Sequence, residues 1–526
     1  MLNTISRPKR PCRRNLPDTV HSGSARVVPS TLSCLTAKLP TGRDFSAPQS
    51  RLFMFSAASE TALQELVAST YEYFTAADFR HLPRHDVVSA GHRGFVHQRE
   101  RLSVVGRNSD DIRQKLGEYL SNGQCDAVRR STVSNTRQSV VFVFCGQGSQ
   151  WWNMGRELLA SEPMFRETIA ACDRLFREQG AEWSLIDELT RDEADSRLDQ
   201  TAIAQPAIFA LQSGLVELWK SWGGDPAARV GHGSGDVASA YAAGRLSLEE
   251  AARVAFQRGR CMDLDQSDGQ LLAAALSETE ARELIAAGDH PVELASINSP
   301  TCVTFAGRRD ALKSLARELR AAKRWRRLLE IPHAFHSAAM EPLRERLLEA
   351  LGTVSQRHPA IPMLSTVTGR PLEGEALDAD YWWQNIRRPV QFAAACELAL
   401  RDGHQVFLEI GPHPILAGCI TQCADESDHV VNLFASLRRD DHDGNVMLRS
   451  AGELFALGAN VRRSAACRSD LRQPVAADAN GAPSIIKVRS VNPSRLRPMR
   501  MSGGSARRAS CIQSRWRENG QNPTPH

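Results

Sequence analysis

A glycine-rich turn is the segment of this 526-residue chain with the clearest potential for chemistry. Residues 231–236 read Gly-His-Gly-Ser-Gly-Asp, between the short run Ala228-Arg229-Val230 and a helical pattern. A sharp strand-to-helix turn of this kind displays one side chain above a sheet and aims helix N–H groups at the same point. A catalytic elbow carries serine at its centre, whereas here Gly233 is central and Ser234 follows it. Such a turn, taken alone, is more often plain structure than an active site.

The turn is one of a series of segments with a recognisable order. The others are Gly146-Gln147-Gly148-Ser149-Gln150-Trp151, Met154-Gly155-Arg156-Glu157, Gln205-Pro206-Ala207, Arg258, Asn298-Ser299-Pro300, His333-Ala334-Phe335-His336-Ser337, Asn385 before Pro389-Val390, and Gly411-Pro412-His413-Pro414. In order and spacing they resemble acyl-CoA:acyl-carrier-protein transacylases, in particular the acyltransferase domain of a type I polyketide synthase. The resemblance covers about residues 51–460, which includes the linker that joins ketosynthase and acyltransferase in such synthases.

The resemblance implies a catalytic role for four residues besides the centre of the turn. His336 would be the general base that deprotonates a serine at position 233 and later returns the proton, and the near-neutral pKa of imidazole suits both steps. The backbone N–H groups of Gln147 and Ser234 would form the oxyanion hole. Asn385 would orient His336 through its amide. Without the resemblance, a structural histidine, an ordinary turn and a loop-capping amide are the simpler interpretations.

The resemblance also implies a substrate site with a dicarboxylic acyl donor. Arg258 follows Gly233 by 25 residues, and its guanidinium would grip the free carboxylate of a malonyl group. The quartet His333 to His336 resembles the malonyl signature of the family, in which bulky Phe335 takes the room of an α-methyl group, an effect of ~1–3 kcal/mol. His232, His333 and Phe335 therefore join Arg258 as expected substrate-binding residues. A solvated helix arginine is the plain alternative for Arg258.

Gly233 is the main departure from the family pattern. It lacks the atom that should carry the acyl group, and loss of such a nucleophile costs on the order of 10⁶ in turnover in a serine-protease precedent. Ser234 is a poor replacement, since in the family geometry its side chain points away from the base. Asp236, where the family usually has Glu, is a milder departure. We expect covalent transfer to be impaired.

The pattern of strands and helices that must position these residues predicts an α/β fold. The apolar runs 140–144 and 406–410 are typical of buried parallel strands in a hydrolase-like sheet core. Between them, the order strand, helix, strand, strand, helix, strand predicts an inserted ferredoxin-like (βαββαβ) subdomain, with a Ser277-x-x-Glu280 capping box opening its first helix. The predicted domains are a disordered basic tail (1–50), a small N-terminal α/β linker domain (51–130), the acyltransferase large subdomain (138–268 and 332–460), the ferredoxin-like small subdomain (269–331) and a second disordered basic tail (461–526).

The net charge of +5 resides at the two ends of the chain. Residues 1–50 carry eight Lys/Arg against two Asp, and residues 462–526 carry thirteen against three acidic residues. The folded middle is therefore acidic, and we expect no nucleic-acid partner. The twelve Cys residues show no zinc-type spacing, which predicts reduced thiols and no metal site. No apolar stretch approaches the ~20 residues of a membrane span, so we expect no membrane partner and a cytoplasmic protein.

These observations lead to one preferred function and two alternatives. The preferred function is transfer of malonyl from malonyl-CoA to the phosphopantetheine thiol of an acyl carrier protein by a Ser-His ping-pong mechanism, impaired by Gly233. The alternatives are an inactive remnant that binds CoA or docks a carrier protein, and an unrelated α/β-hydrolase esterase. No bound cofactor is expected. The expected partners are malonyl-CoA, the carrier protein and a ketosynthase, and the chain is expected to be a gene fragment or a free-standing domain.

Overall fold

A computed structural model of the chain describes residues 31–36, 50–75, 97–133, 138–265, 267–358, 361–374 and 376–461. The described residues all belong to one compact unit. A second unit, Val475–His526, lies outside the described residues, as does most of both segments predicted to be disordered tails. None of the helices in the described part has the length and apolar character to cross a membrane.

The N-terminal α/β domain is a four-stranded antiparallel sheet with two helices. In its core, Phe53, Phe55, Leu102 and Val104 pack against the two helices. The residues that alternate with Phe53 and Phe55 along their strand, such as Leu52, face the other way and belong to the main core of the chain. Burial on both faces explains the continuous apolar run 52–55. The strands have the order β1-β2-β3-β4, and the elements are β1 (Thr31–Thr36), β2 (Arg51–Ala57), α1 (Glu60–Thr75), β3 (Glu100–Gly106), α2 (Ser109–Asn122) and β4 (Val128–Thr132).

Strand β1 corrects the prediction that all of residues 1–50 are disordered. Thr31–Thr36 pairs antiparallel with Arg51–Ala57 along its whole length. The segment has little apolar periodicity of its own, so its strand character is not visible locally. It is stabilised by the backbone groups of β2, which would otherwise form an open sheet edge.

The first part of the large subdomain places the first two sheet strands and the helices that cover them. A long helix from Thr201 to Ser221 is buried over most of its length, as its nearly all-round apolar sequence predicts. A short 3₁₀ turn, Glu193–Asp195, precedes it. The elements are β5 (Val140–Phe144), α3 (Arg156–Ser161), α4 (Pro163–Glu178), α5 (Leu185–Thr190), α6 (Thr201–Ser221), β6 (Ala228–Gly231), α7 (Gly235–Ala242) and α8 (Leu248–Met262).

The inserted subdomain has the predicted βαββαβ order and the antiparallel strand arrangement β10-β7-β9-β8. The capping box forms as expected, with the Ser277 hydroxyl accepting from the Glu280 N–H and the Glu280 carboxylate accepting from the Ser277 N–H. The ferredoxin-like prediction is therefore confirmed. The elements are β7 (Gly269–Ala274), α9 (Glu278–Ala287), β8 (Val292–Ser299), β9 (Cys302–Arg308), α10 (Arg309–Ala321) and β10 (Arg326–Leu329).

The rest of the chain completes the main sheet, whose order is β12-β11-β6-β5-β14-β15. All neighbours in it are parallel except β12, and β5 lies between β6 and β14, which confirms the parallel core. A 3₁₀ turn, Ala338–Leu343, opens this part. The elements are α11 (Arg344–Leu351), β11 (Met363–Ser365), β12 (Arg370–Pro371), α12 (Ala379–Arg387), β13 (Val390–Gln391), α13 (Phe392–Arg401), β14 (Val406–Ile410), α14 (Ala417–Glu426), β15 (Asn432–Ala435) and α15 (Asp443–Ala456).

Two features of this topology position the candidate site. Strands β5 and β6 are paired up to Phe144 opposite Gly231, so the loops that follow them meet at one edge of the sheet. The short strand β13, which the sequence did not predict, pairs with β8 and so joins the large subdomain to the inserted one. The site therefore lies where the two subdomains meet.

Helix α15 connects the main core to the N-terminal domain. The Ser103 hydroxyl donates to the Gly452 carbonyl at 2.9 Å, and the Arg101 guanidinium donates to the Phe455 carbonyl at 2.9 Å. A Cβ atom on Gly452 would lie 2.8 Å from Ser103 Oγ and 2.9 Å from Leu52 Cδ1. The absence of a side chain at 452 thus permits the close approach of helix and sheet.

We predict that Gly452→Leu lowers the thermal midpoint of unfolding, measured by circular dichroism, by an amount that corresponds to about 1–3 kcal/mol of overpacking. Gly374→Leu is the matched control, because a Cβ atom on Gly374 meets nothing within 4 Å. Equal midpoints for the two variants would show that the contact of α15 with the N-terminal sheet does not limit stability.

Candidate active site

The glycine-rich turn forms the predicted strand-to-helix elbow between β6 and α7. Gly233 has a φ of +57°, a left-handed conformation that costs an L-residue about 1–2 kcal/mol. The glycines two positions away on either side allow no side chain: a Cβ atom on Gly231 would lie 2.3 Å from Asp236 Oδ1, and one on Gly235 would lie 2.1 Å from the Phe144 carbonyl oxygen. The elbow is therefore a tightly constrained turn whose one displayed position is 233.

His336 faces that displayed position. A Cβ atom built on Gly233 would lie 3.4 Å from His336 Nε2, an ordinary contact distance. The backbone of His336 also has a positive φ, +61°, and its N–H donates to the Ile386 carbonyl at 3.1 Å. Because the Arg388 carbonyl can only accept, the 2.9 Å bond to Nδ1 assigns the ring proton to Nδ1. Nε2 is left as the acceptor that points at the elbow.

Burial lowers the pKa of His336 to about 3, with further lowering by the charge of Arg258 and by His232. The hydrogen bond to the Arg388 carbonyl acts in the opposite direction but is outweighed. The imidazole is therefore neutral at physiological pH, which is the state that a general base requires.

The two expected oxyanion-hole residues lie side by side. Gly146 packs against the elbow, since a Cβ atom there would lie 2.6 Å from the His232 carbonyl oxygen and 3.4 Å from Ser234 Oγ. Among the described residues, neither the Gln147 N–H nor the Ser234 N–H has a hydrogen-bond acceptor. The Ser234 hydroxyl is buried and unbonded within the same described part, and it faces Gly146 and makes no hydrogen bond to His336.

Arg258 is buried and held by neutral amides. Its Nε donates to Asn385 Oδ1 at 3.1 Å, and its Nη1 donates to Gln205 Oε1 at 2.5 Å. Gln205 Nε2 donates in turn to Gln147 Oε1 at 3.1 Å, and Gln147 Nε2 donates to Thr201 Oγ1 at 3.1 Å. This chain of bonds fixes the guanidinium and the loop of the oxyanion hole together. Burial lowers the pKa of Arg258 to about 10, so it remains a cation.

Asn385 lies at the site but makes different hydrogen bonds from those the resemblance implied. Its Nδ2 donates to the Gly233 carbonyl at 3.1 Å and to Asp236 Oδ2 at 3.0 Å, and its Oδ1 accepts from Arg258. Within the described part of the chain it has no hydrogen bond to His336. The histidine ring is oriented instead by the Arg388 carbonyl, just beyond the end of α12.

Asp236 is a site residue whose importance the sequence did not reveal. It is fully buried, its Oδ2 also accepts from Thr366 Oγ1 at 2.7 Å, and burial raises its pKa to about 7 although nearby Arg258 lowers it. Thr201, Thr366 and the side-chain role of Gln205 were missed as well. Gln205 and Asp236 gave a signal, since they stand in the Gln-Pro-Ala segment and in the glycine-rich turn. The others are identified only by their hydrogen bonds.

A cavity with about 460 Å³ of empty volume, open solvent included, collects the expected residues. Phe335 lines the cavity, and the ring of His333 stacks on it with ring centroids 5.2 Å apart. The His333 Nδ1 atom lies 3.4 Å from Asp265 Oδ2. His232 lines it too, with Nε2 donating to Asn298 Oδ1 at 2.9 Å. Two predicted residues lie behind the wall: Asn385 contacts Arg258, and His333 contacts Phe335. The other predicted residues line the cavity: Gln147, His232, Gly233, Ser234, Arg258, Phe335 and His336.

We predict that His336 stays neutral as the pH falls from about 8 to about 5, because its pKa lies far below the ordinary histidine range. In NMR spectra of protein labelled at histidine Cε1, its signal should stay fixed over this range, and His336→Gln identifies the signal by its disappearance. Exposed His442, whose pKa is raised by its hydrogen bond to Glu157, is the internal comparison that should titrate. Titration of His336 near the ordinary value of 6.5 would contradict the burial argument.

Comparison with known proteins agrees with this geometry. The profile of the acyl transferase domain family matches residues 141–461. The polyketide synthase GfsB of Streptomyces halstedii is 36% identical over 420 residues, which are 78% of this chain and 7% of that synthase. The chain thus spans a small fraction of the length of the curated synthases it matches.

Solved structures extend the similarity to the fold. The acyltransferase domain of module 8 of the salinomycin polyketide synthase has 30% identity and a TM-score of 0.71, over 82% of this chain and 97% of that domain. The acyltransferase domain of SpnD, solved in complex with 2-(pent-4-yn-1-yl)malonyl, has 26% identity and a TM-score of 0.67, over 77% and 96% of the two chains. This chain belongs to the acyl transferase domain family, in the form found in type I polyketide synthases.

Proposed function

We propose that this acyltransferase domain selects malonyl-CoA and binds it in the cavity between the elbow and the inserted subdomain. The observation that carries the proposal is the state of Arg258: a buried cation that faces the cavity and bonds only neutral amides among the described residues. Nearby Asp236 compensates this charge only in part, because burial raises the pKa of its own carboxyl to about 7. A buried charge without a full partner is costly, and a carboxylate on the ligand would pair with it. An acetyl group offers no such carboxylate, so a dicarboxylic acyl donor fits this cavity better.

The ring of Phe335 favours binding of a malonyl group over binding of a methylmalonyl group. Its ring lines the cavity, and the stacked His333 behind it restricts its movement away from the substrate. Exclusion of one methyl group in this way is worth ~1–3 kcal/mol. The related acyltransferase domain of SpnD was solved in complex with a malonyl group that carries a long substituent.

The proposed acceptor is the phosphopantetheine thiol of an acyl carrier protein. A second groove, of about 1170 Å³ including open solvent, shares Ile331 with the acyl cavity and carries Arg327, Arg439 and Trp151 on its walls. We propose that the pantetheine arm enters along this groove, because the groove adjoins the acyl cavity at Ile331. A ketosynthase is a further partner by family context, and we place the reaction in the cytoplasm.

Gly233 is proposed to prevent the covalent step. In the ping-pong mechanism a serine at 233 would attack the thioester while His336 Nε2 takes its proton, and the oxyanion would bind the two free N–H groups. The Nε2 atom of His336 at the elbow and the two N–H groups without acceptors among the described residues support this proposal, and position 233 lacks the hydroxymethyl group. The chain is thus an acyltransferase without its nucleophile. Neither the esterase nor the docking-module alternative is favoured, because the family is established and the site around position 233 is intact.

We predict that Gly233→Ser forms a covalent malonyl adduct on incubation with malonyl-CoA, whereas the unchanged chain forms none. Intact-mass spectrometry of the two proteins side by side measures this. Room for the serine exists, because its Cβ atom would make an ordinary 3.4 Å contact with His336 Nε2.

The controls for this experiment distinguish a wrong assignment of the nucleophile position from a loss of function in the rest of the site. Gly233→Ser combined with His336→Gln should lose the adduct, since the base is gone. An adduct on the unchanged chain would identify Ser234 or another nucleophile and overturn the role of Gly233. No adduct on either protein would overturn the claim that the rest of the site is intact.

We predict that Arg258→Ala, introduced into the Gly233→Ser protein, lowers the rate of acylation by malonyl-CoA about 10- to 100-fold, the range for loss of a hydrogen-bonded charged partner. Acylation by acetyl-CoA should change far less, because acetyl has no carboxylate to pair. The matched control is Arg260→Ala, since Arg260 lies two positions along the same helix and is exposed. Equal losses with both donors would refute carboxylate recognition by Arg258.

A further inference from the structure

The absence of a side chain at Gly233 leaves a defined space beside the base. We call it the Gly233 niche: the part of the cavity between the Gly233 Cα atom and His336 Nε2. A side-chain Cβ atom at 233 would stand at its edge, 3.4 Å from His336 Nε2, 3.8 Å from His336 Cε1 and 4.0 Å from Val390 Cγ2. No atom of the described residues approaches this position more closely, apart from the glycine and its two chain neighbours. A methyl group bonded to the Gly233 Cα atom therefore fits there without displacing anything. In its absence, the cavity that Gly233 and His336 both line has room for a water molecule.

The niche has a polar wall on the side of the base. His336 Nε2 carries no proton, because the ring proton is committed to the Arg388 carbonyl at 2.9 Å, so Nε2 can accept a hydrogen bond from a water molecule. The rest of the arrangement also needs no serine side chain. The Gln147 and Ser234 N–H groups are backbone groups without acceptors in the described part of the chain, and the Arg258 guanidinium is held by Asn385 and Gln205.

We propose that this chain hydrolyses malonyl-CoA directly, with a water molecule in the Gly233 niche as the nucleophile and His336 as its base. The choice of malonyl-CoA as the acyl donor rests on the proposed function above. The hydrolytic step itself rests only on the niche, the base and the free N–H groups. Transferase chemistry on a serine is thereby replaced by a single displacement by water.

The step balances without any further reactant. As the water oxygen bonds to the thioester carbonyl carbon, its proton passes to His336 Nε2 and the carbonyl electron pair moves onto the oxygen, which the two N–H groups stabilise. The tetrahedral intermediate then collapses. The C–S bond breaks, the CoA sulfur leaves with the electron pair and takes the proton back from Nε2. The products are malonic acid and CoA with a free thiol, and His336 is neutral again.

A slow but measurable rate is expected. Serine-hydrolase sites that lose a catalytic side chain keep a residual acceleration of roughly 10³- to 10⁴-fold over water, from the oxyanion hole and binding. This chain keeps the base as well. We therefore expect release of CoA thiol from malonyl-CoA about 10³-fold or more above the spontaneous rate, with no covalent intermediate on the protein.

The test compares thiol release by the full chain and three variants, measured with a chromogenic disulfide reagent. His336→Gln removes the base and should reduce the rate at least about tenfold. Gly233→Ala fills the niche with a methyl group and should reduce it similarly, without adding a nucleophile. The control for strain is Gly352→Ala: Gly352 has a φ of +49°, and the nearest atom to its Cβ position is 4.0 Å away. This variant should hydrolyse malonyl-CoA at the rate of the unchanged chain.

Calorimetric titration of each protein with malonyl-CoA separates the two proposals and checks that the variants fold. Binding of malonyl-CoA without thiol release, or release that is equal in the unchanged chain and in His336→Gln or Gly233→Ala, would overturn the hydrolytic proposal and leave malonyl selection standing. Release from acetyl-CoA as fast as from malonyl-CoA would support hydrolysis at the niche and overturn malonyl selection. A covalent adduct detected during turnover would overturn attack by water.

Discussion

The side-chain amide of Asn385 is the interaction on which the arrangement of the site depends. Its donor atom holds the Gly233 carbonyl and the Asp236 carboxyl, and its acceptor atom holds the Arg258 guanidinium. The same helix, α12, ends beside the backbone carbonyls that orient His336. One helix end therefore fixes the elbow, the anion-binding cation and the base relative to one another. Loss of a buried amide at such a junction would leave several polar groups unpaired at once, which costs more than a single hydrogen bond.

The charges of the site are adjusted by burial. The His336 ring is kept neutral chiefly because it is buried, and the nearby Arg258 cation adds to this, so the base and the carboxylate-binding group support each other. Asp236 partly compensates the cation, yet its own burial raises its pKa to about 7. The carboxyl is thus a weak competitor for the guanidinium. A substrate carboxylate that forms an ion pair with Arg258 would neutralise the cation more completely than Asp236 does.

The sequence predicted those parts of the protein whose signal is local. The apolar run 140–144, the capping box at Ser277 and the alternation of the inserted unit gave the layers of the fold, and the motif spacing gave the site residues. The parts it did not predict depend on contacts between distant segments. Strand β1 exists because β2 offers it a pairing edge, and the true partners of Asn385 depend on the meeting of α12 with the elbow. No residue type at 385 could have revealed which of three polar neighbours it would choose.

The structure also explains how a site can lose its nucleophile and keep its form. No hydrogen bond of the described network uses a side chain at 233, because Asn385 binds the backbone carbonyl. At a φ of +57° a serine would bear about 1–2 kcal/mol of backbone strain, and glycine removes this strain. Exchange of serine for glycine therefore relaxes the elbow and does not weaken it. Because the fold does not depend on the one atom that covalent catalysis needs, an intact cavity, a neutral base and a buried cation persist around an empty nucleophile position.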